Sequence, residues 1–224
     1  MPRKPDIQRD PDELRRHYEE RRSLLEALAV NLNGSVVEQL KVVRRVDRVS
    51  FRVKATPRFV SKVMKHDPPY RMLLVEVEDQ VAGRVLVLFL SDVEVIRQRV
   101  HEVFRPVEGE YRRPRQHNVF DYESWQGVFN IPPQARPPGW ETRTDLPTTF
   151  ELQIRTLFQH AYAEPQHDVG YKPEGRVSDD DLRELAWVAA SAWGADHALE
   201  RVRARLVESG HDPSNDNDQG TVQE

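Results

Sequence analysis

One stretch constrains this chain more than any other: Thr149 to Tyr162, where the apolar residues change period in mid-run. Phe150, Leu152 and Ile154 alternate with Thr149, Glu151, Gln153 and Arg155, the two-residue period of a half-buried strand. From there Ile154, Leu157, Phe158 and Ala161 take the three-four spacing of a helix face. A strand therefore runs straight into a helix. An acid, an amide and a guanidinium share one face of that strand, roughly 7 Å apart per step. Three polar side chains in a row on a short strand are costly inside a protein unless they bind something, so the junction is the candidate site.

The rest of the chain supplies the layers around it. Residues 1–9 are rich in proline and charge and read as loose. Asp10-Pro11 reads as an N-cap with proline at the first helical position. It predicts a helix to about Asn31, with Leu14, Tyr18, Leu25 and Leu28 as its apolar stripe and Arg15, Arg16, Arg21 and Arg22 largely off it. Those arginines read either as a solvated face or as a phosphate-contacting patch. Asn33-Gly34 ends the helix, and Ser35-Val-Val-Glu38 has capping-box spacing for a shorter one to about Arg44. Val49 to Lys54 alternates again, pairing Arg52 with Lys54 on one face. Two adjacent cations suit a polyphosphate or guard an edge strand. Thr56-Pro57 starts a helix with Arg58 and Lys62 one turn apart, closed at Asp67-Pro68-Pro69.

Met72 to Val77 reads as a strand. An acidic turn containing Asp79 follows, with Arg84 just ahead of Val85 to Leu90, an unbroken apolar run that reads as a central strand buried on both faces. Ser91-Asp-Val-Glu94 opens a helix to about Phe104 that buries Val93, Ile96, Val100 and Val103. Residues 105–147 read as mostly loop, with a strand at Val128 to Ile131 and with Arg112, Arg113 and Arg115 clustered beside Tyr111. Loops of that length are functional or disordered, and basic residues beside aromatics suit a nucleotide. The Asp-rich start at Ser178 predicts a last helix to about Val207 that buries Leu182, Leu185, Ala189, Leu199, Val202 and Leu206. Trp187 and Trp193 there serve either the core or self-association. Residues 209–224 are polar and read as disordered.

The fold class is α/β (α+β): a mixed β-sheet of about five strands flanked by helices. Four segments follow: a helical extension over 1–48, a core over 49–175, a helix over 176–208 and a tail over 209–224. Composition narrows the function classes. A net charge of −4 argues against bulk-charge nucleic-acid binding. The absence of cysteine removes disulfides and thiolate metal sites and fits a cytoplasmic protein. No apolar run reaches membrane-span length, and no apolar stretch follows the N-terminal Met-Pro-Arg-Lys-Pro. No membrane partner is expected.

Four motifs fall in one order: Arg52-Val-Lys54 with Lys62; Asp79-Gln-Val-Ala-Gly83-Arg84; Tyr122-Glu-Ser124; and Glu151-Leu-Gln-Ile-Arg-Thr with Gln159-His-Ala-Tyr-Ala-Glu and Tyr171-Lys172. Together they resemble the synthetase domain of the RelA/SpoT-type alarmone synthetases, over roughly residues 50–172. The fourth motif is the specific one. The resemblance implies a nucleotidyltransferase-like synthetase fold and transfer of pyrophosphate from ATP to a ribose 3′-hydroxyl of GDP or GTP, making (p)ppGpp-type alarmones. It implies Mg²⁺ held by Asp79 and Glu151, with Glu151 also engaging the 3′-hydroxyl. Arg52 and Arg84 would sandwich the adenine, and Lys54 and Lys62 would contact the ATP phosphates. Tyr122 would stack on the acceptor base. Gln153, Arg155 and His160 would shape the acceptor side or orient Glu151, and Arg115 would reach a larger acceptor.

The departures fall mainly on the acceptor side. Asp121 stands where the family usually has glycine, Gln126 where it has histidine, and Glu123 where a basic or amide residue is common. Arg58 replaces a serine, and Pro165 stands where the family's helix continues, so the helix is expected to kink or stop there. Two alternatives stay open: a toxic relative that transfers pyrophosphate to the tRNA 3′ end or to an adenine nucleotide, with a neutralising antitoxin as partner, and a relative that only binds nucleotides. The chain resembles the stand-alone small synthetases, with neither hydrolase domain nor regulatory extension expected. Small members of the family are often homo-oligomers, and the terminal helices offer surfaces for that.

Overall fold

The computed structural model describes residues 10–67, 69–112, 119–120, 123–169 and 178–210, with side chains at 166–169 excepted. Tyr122, Arg115 and the Tyr171-Lys172 pair lie outside the described residues, as do residues 1–9 and 211–224. In chain order the elements are α1 (Pro11–Glu19), α2 (Arg22–Leu40), β1 (Val46–Val53), α3 (Thr56–Lys65), β2 (Val81–Val87), α4 (Leu90–Val103), β3 (Pro106–Arg112), β4 (Ser124–Asn130), β5 (Thr149–Thr156), α5 (Leu157–Val169) and α6 (Asp179–Glu208).

The five strands form one mixed sheet in the order β1-β2-β5-β4-β3. β2 and β5 are parallel and the other pairs antiparallel. Register places Phe51, Gly83, Leu152 and Gly127 in one row and Arg52, Ala82, Glu151 and Val128 in the next. Successive residues of a strand point to opposite faces, so apolar and polar rows alternate between the two sides. The apolar side packs against helices α1 to α4. Tyr18, Leu28, Leu32, Phe59 and Ile96 join Val85, Phe129, Phe150 and Leu152 in a single core. The N-terminal helices are thus part of the same core as the sheet.

Two glycines fit aromatic neighbours onto that side. A Cβ at Gly83 would lie 2.4 Å from Cζ of Phe51, and one at Gly127 would lie 2.3 Å from Cη2 of Trp125. The rings occupy the space that a side chain would need.

Several expectations are corrected. The N-terminal break falls at Glu20-Arg21, not at Asn33-Gly34, and α2 runs through Gly34 to Leu40. The cost of a mid-helix glycine, about 1 kcal/mol, is offset by burial of Leu32, Val36 and Leu40. Ser35 Oγ donates back to the Asn31 carbonyl rather than capping a helix. Arg21 is fully buried, not on an exposed face. The Met72–Val77 run forms a turn, not a strand, with the amides of Val75 and Glu76 both donating to the Met72 carbonyl. Leu73, Leu74 and Val77 are nonetheless buried, so helical-layer packing satisfies the run without a sheet partner.

The central strand begins earlier than expected, so Arg84 lies within β2 and not ahead of it. β3, expected as loop, is an edge strand exposed along its length, and β4 begins at Ser124. α4 starts at Leu90, because Asp92, rather than Ser91, supplies the cap: its Oδ2 accepts from the Phe89 amide at 3.2 Å. α5 continues through Pro165. The carbonyl freed of its bond there belongs to exposed Ala161, where water can reach it. Helix α6 exists as expected, capped by Ser178 and Asp181, but Leu182, Leu199, Val202, Leu206, Trp187 and Trp193 are exposed. Ala189 and Asp196 mark the edge of this long helix that is buried.

Candidate active site

The polar face of the sheet opens into a cleft of about 780 Å³. Seven of the residues singled out from the sequence line it: Arg52, Lys54, Lys62, Asp79, Arg84, Glu151 and Gln153. They come from β1 and the residue after it, α3, the turn before β2, β2 itself and β5. Arg58 and Lys65, both on α3, add two further cations.

The cleft is held in shape from below. Asp79 sits in a single 3-10 turn, Glu78–Gln80. Gln80 is wholly buried; its amide donates to the carbonyls of Leu74 and Val77 at 2.8 and 3.0 Å, and its Oε1 accepts from Arg21 at 3.3 Å. Arg21 also donates to the Leu74 carbonyl at 3.0 Å and to that of Asp145. A buried guanidinium needs this many acceptors. Arg21 therefore ties α2, the turn and the loop before β5 together beneath Asp79. On the other side, the amide of Lys54 donates to the Gln80 carbonyl at 2.8 Å, and Tyr18 Oη donates to the Lys54 carbonyl at 2.9 Å.

Charges in the cleft are paired closely. Lys54 Nζ donates to Oδ2 of Asp79, and Lys62 Nζ donates to Oδ1 at 2.9 Å. Burial pushes the Asp79 carboxyl up, but the two ammonium groups outweigh it and hold the group below the ordinary carboxylate range. Burial likewise pulls Lys62 down, and Asp79 more than reverses this. Asp79 is thus ionised and Lys62 charged at neutral pH.

Along β5 the polar row forms a hydrogen-bonded chain. Arg155 Nη2 donates to Gln153 Oε1, and Gln153 Nε2 donates to Glu151 Oε1 at 2.6 Å. The chain thus holds Glu151, which lines the cleft, through one carboxylate oxygen. His160, one turn into α5, lies 3.4 Å from Nη1 of Arg84 through Nδ1. Burial, then the Arg84 charge, lowers its pKa, so the imidazole is neutral at pH 7. Gln126 on β4 is buried and donates to Ser124 Oγ at 3.4 Å, next to Gln153 in register.

Three residues of this neighbourhood are absent from the sequence-derived set. Arg21 has a signal, since it falls on the heptad-like spacing of the α1–α2 stripe. Glu164, 2.7 Å from Arg84, closes the Gln159-to-Glu164 motif. Gln80, beside Asp79, carries no signal of its own.

A Mg²⁺ ion typically takes one or two protein carboxylates and fills its octahedron with phosphate oxygens and water. Among the described residues no cluster of three or more His, Cys, Asp or Glu could hold a metal alone. Asp79 and Glu151 on one cleft fit an ion that arrives with a triphosphate.

A family model described as the region found in RelA / SpoT proteins matches residues 51–176. The GTP pyrophosphokinase YjbM of Bacillus subtilis (strain 168) is 22% identical over 193 residues, covering 84% of this chain and 87% of that protein. A GTP pyrophosphokinase family protein from Streptococcus pneumoniae superposes with a TM-score of 0.70 at 21% identity, covering 86% of this chain and 96% of that one. Small alarmone synthetase 1 from Bacillus subtilis, bound to its product pppGpp, superposes with a TM-score of 0.66 at 20% identity over 88% of this chain and 99% of that one. The same synthetase bound to AMPCPP gives 0.63 at 19% identity, over 86% and 98%. At these identities the structural likeness speaks for the fold.

Proposed function

This chain belongs to the RelA/SpoT family, and from that premise we propose that it transfers pyrophosphate from ATP to the ribose 3′-hydroxyl of GDP or GTP, releasing AMP. The observation that carries the reading is the cleft itself: two carboxylates from separate parts of the chain, Asp79 and Glu151, stand among the cations of β1, α3 and β2. The relatives named above as GTP pyrophosphokinase and as a synthetase bound to pppGpp or AMPCPP support the same donor and acceptor classes.

In this reading Lys54 and Lys62 contact phosphate oxygens of the donor, and Asp79 with Glu151 would hold a Mg²⁺ ion. Its charge would offset that of the donor's phosphates. Arg52 and Arg84 present guanidinium planes to the adenine. Glu151, oriented by Gln153 and Arg155, accepts the proton of the 3′-hydroxyl as that oxygen attacks the β-phosphorus. The bond from the β-phosphorus to the oxygen bridging the α-phosphate breaks, and AMP departs. Catalysis is then largely positioning and charge stabilisation. Residues 49–175 would be the synthetase unit, with α1 and α2 bracing the turn that holds Asp79.

Incubation with γ-labelled ATP, Mg²⁺ and, in parallel, GDP, GTP, ATP or tRNA tests the proposal. The expected result is label in the guanine nucleotide with stoichiometric AMP, formed about 10³-fold more slowly by Glu151→Gln. Label in tRNA or in an adenine nucleotide instead would keep the donor half and replace the acceptor. Tight ATP binding without transfer to any of the four would leave a nucleotide-binding protein.

A further inference from the structure

Arg21 stands at the junction of α1 and α2 and is fully buried. Its guanidinium holds four oxygens from four segments, and all four are neutral. Nε donates to the His17 carbonyl at 3.1 Å, Nη1 to the Leu74 carbonyl at 3.0 Å and to the Asp145 carbonyl, and Nη2 to Oε1 of Gln80 at 3.3 Å. The Asp145 carboxylate is bound instead to Arg143, at 2.9 and 2.7 Å. Burial pulls the Arg21 pKa down to about 10, which leaves the group charged at pH 7. A buried cation held by neutral oxygens is a costly way to gain stability alone. Its contacts converge on the main chain around Asp79. Gln80, the next residue, closes the turn onto the Leu74 and Val77 carbonyls. Tyr18, whose ring centre lies 5.3 Å from Arg21 Cζ, donates through Oη to the Lys54 carbonyl.

We propose that Arg21, acting through Gln80, is the positioning residue that holds the Asp79 carboxylate in place for a metal-bound donor. This rests on the reading of Asp79 as a group that would hold Mg²⁺. In the ligand-free cleft the Asp79 side chain has restraints of its own, the bonds from Lys54 and Lys62. A triphosphate competes for both lysines. Once they contact its oxygens, the place of the carboxylate depends on the main chain beneath it. That main chain is a single 3-10 turn, which makes few hydrogen bonds of its own. Gln80 and Arg21 supply the bonds that it lacks. The planar fork of a guanidinium can hold acceptors in several directions at once, which a lysine ammonium does less well. Arg21 touches no reacting atom in this account. Its loss should therefore weaken the part of donor binding that needs the metal and spare the part that needs only the cations.

The test is calorimetry with a non-hydrolysable ATP analogue, run once in Mg²⁺ and once in EDTA. Arg21→Met should lower affinity in Mg²⁺ about 10- to 100-fold, the scale of losing a residue that orients a metal ligand, and leave affinity in EDTA close to wild type. A general loss of structure lowers both, so the ratio of the two separates positioning from stability. Arg21→Lys keeps the charge without the fork and should recover part of the loss. A folded Arg21→Met protein that keeps the wild-type ratio, or that weakens equally in both buffers, overturns the proposal. If that variant does not fold, Gln80→Met cuts the same link at its other end and decides by the same criterion. Asp79→Asn distinguishes the two readings. It should abolish the gain from Mg²⁺; if it does not, Asp79 holds no metal and the underlying reading fails. If it does while Arg21→Met keeps the gain, the role of Arg21 alone is overturned.

Discussion

The two faces of the sheet are written on the same strands and do opposite things. On β5, Phe150, Leu152 and Ile154 are fully buried against the helical layer, while Glu151, Gln153 and Arg155 line or adjoin the cleft. On β2, Gly83 leaves room for Phe51 and Leu152, while its neighbour Arg84 meets Glu164. One face supplies cohesion from apolar area removed from water. The other holds charge in geometries that stabilise little by themselves but suit a triphosphate. Neighbouring residues a single step apart should therefore fail in different ways, and substituting them in pairs is the sharpest way to break the comparison.

The largest effect belongs to the polar face. Glu151→Gln keeps the shape and the bond from Gln153 but removes the proton acceptor. It should lower the transfer rate about 10³-fold, or about 4 kcal/mol of barrier, with a melting temperature close to wild type. A rate loss accompanied by equal destabilisation would show that Glu151 belongs to the scaffold. One residue on, Leu152→Ala should do the reverse. It should cost about 2–5 kcal/mol of stability, read as a lower urea midpoint at unchanged slope, with activity per folded molecule within a few fold of wild type. Gly83→Ala comes next, at about 1–3 kcal/mol, because its Cβ would meet Cζ of Phe51 at 2.4 Å and Cδ1 of Leu152 at 2.7 Å. Replacing Phe51 with Leu in the same chain should recover part of that loss, and failure to recover any would place the strain elsewhere.

The same contrast explains what could be read from residues alone. Where burial is one-sided and the period is two, identity and face are coupled, so Arg52 with Lys54, and Glu151 with Gln153, were each legible as one face of a strand; Arg84, read as lying ahead of its strand, was joined to them only by the resemblance. Arg21 was legible in principle. The spacing that links Leu14, Tyr18, Leu25 and Leu28 passes through position 21, but a charged residue there reads as off the stripe unless its acceptors are known, and those lie at Leu74, Gln80 and Asp145. The run Met72 to Val77 is different, since a short apolar segment is equally compatible with a strand, a helix or a buried turn. The exposed apolar residues of α6 show the limit of periodicity: it reports an amphipathic helix, not what covers it. Gly34 was over-read, because a local propensity of about 1 kcal/mol yields to packing over a whole helix.

The smallest predicted effect tests the seam where the apolar face ends. Thr156, the last residue of β5, is fully buried. Its hydroxyl caps α5, accepting from the Gln159 amide at 3.1 Å, and donates to Oδ2 of Asp196 on α6 at 2.7 Å. Asp196 is 2% exposed, and its Oδ1 has no hydrogen-bond partner among the described residues. Burial raises the carboxyl to about 6, against the pull of the Thr156 bond. The folded protein thus keeps this proton to higher pH than the unfolded chain, which releases it near 3.8. Stability from this group is therefore greatest below that value, falls as pH rises towards 6, and stays lower above it. Asp196→Asn cannot ionise and should be the more stable protein at pH 8, by about 1 kcal/mol, while matching wild type near pH 4. Equal destabilisation at both values would mean that the amide cannot replace the acid as partner to Thr156, and that α6 is held to the sheet by the carboxyl itself.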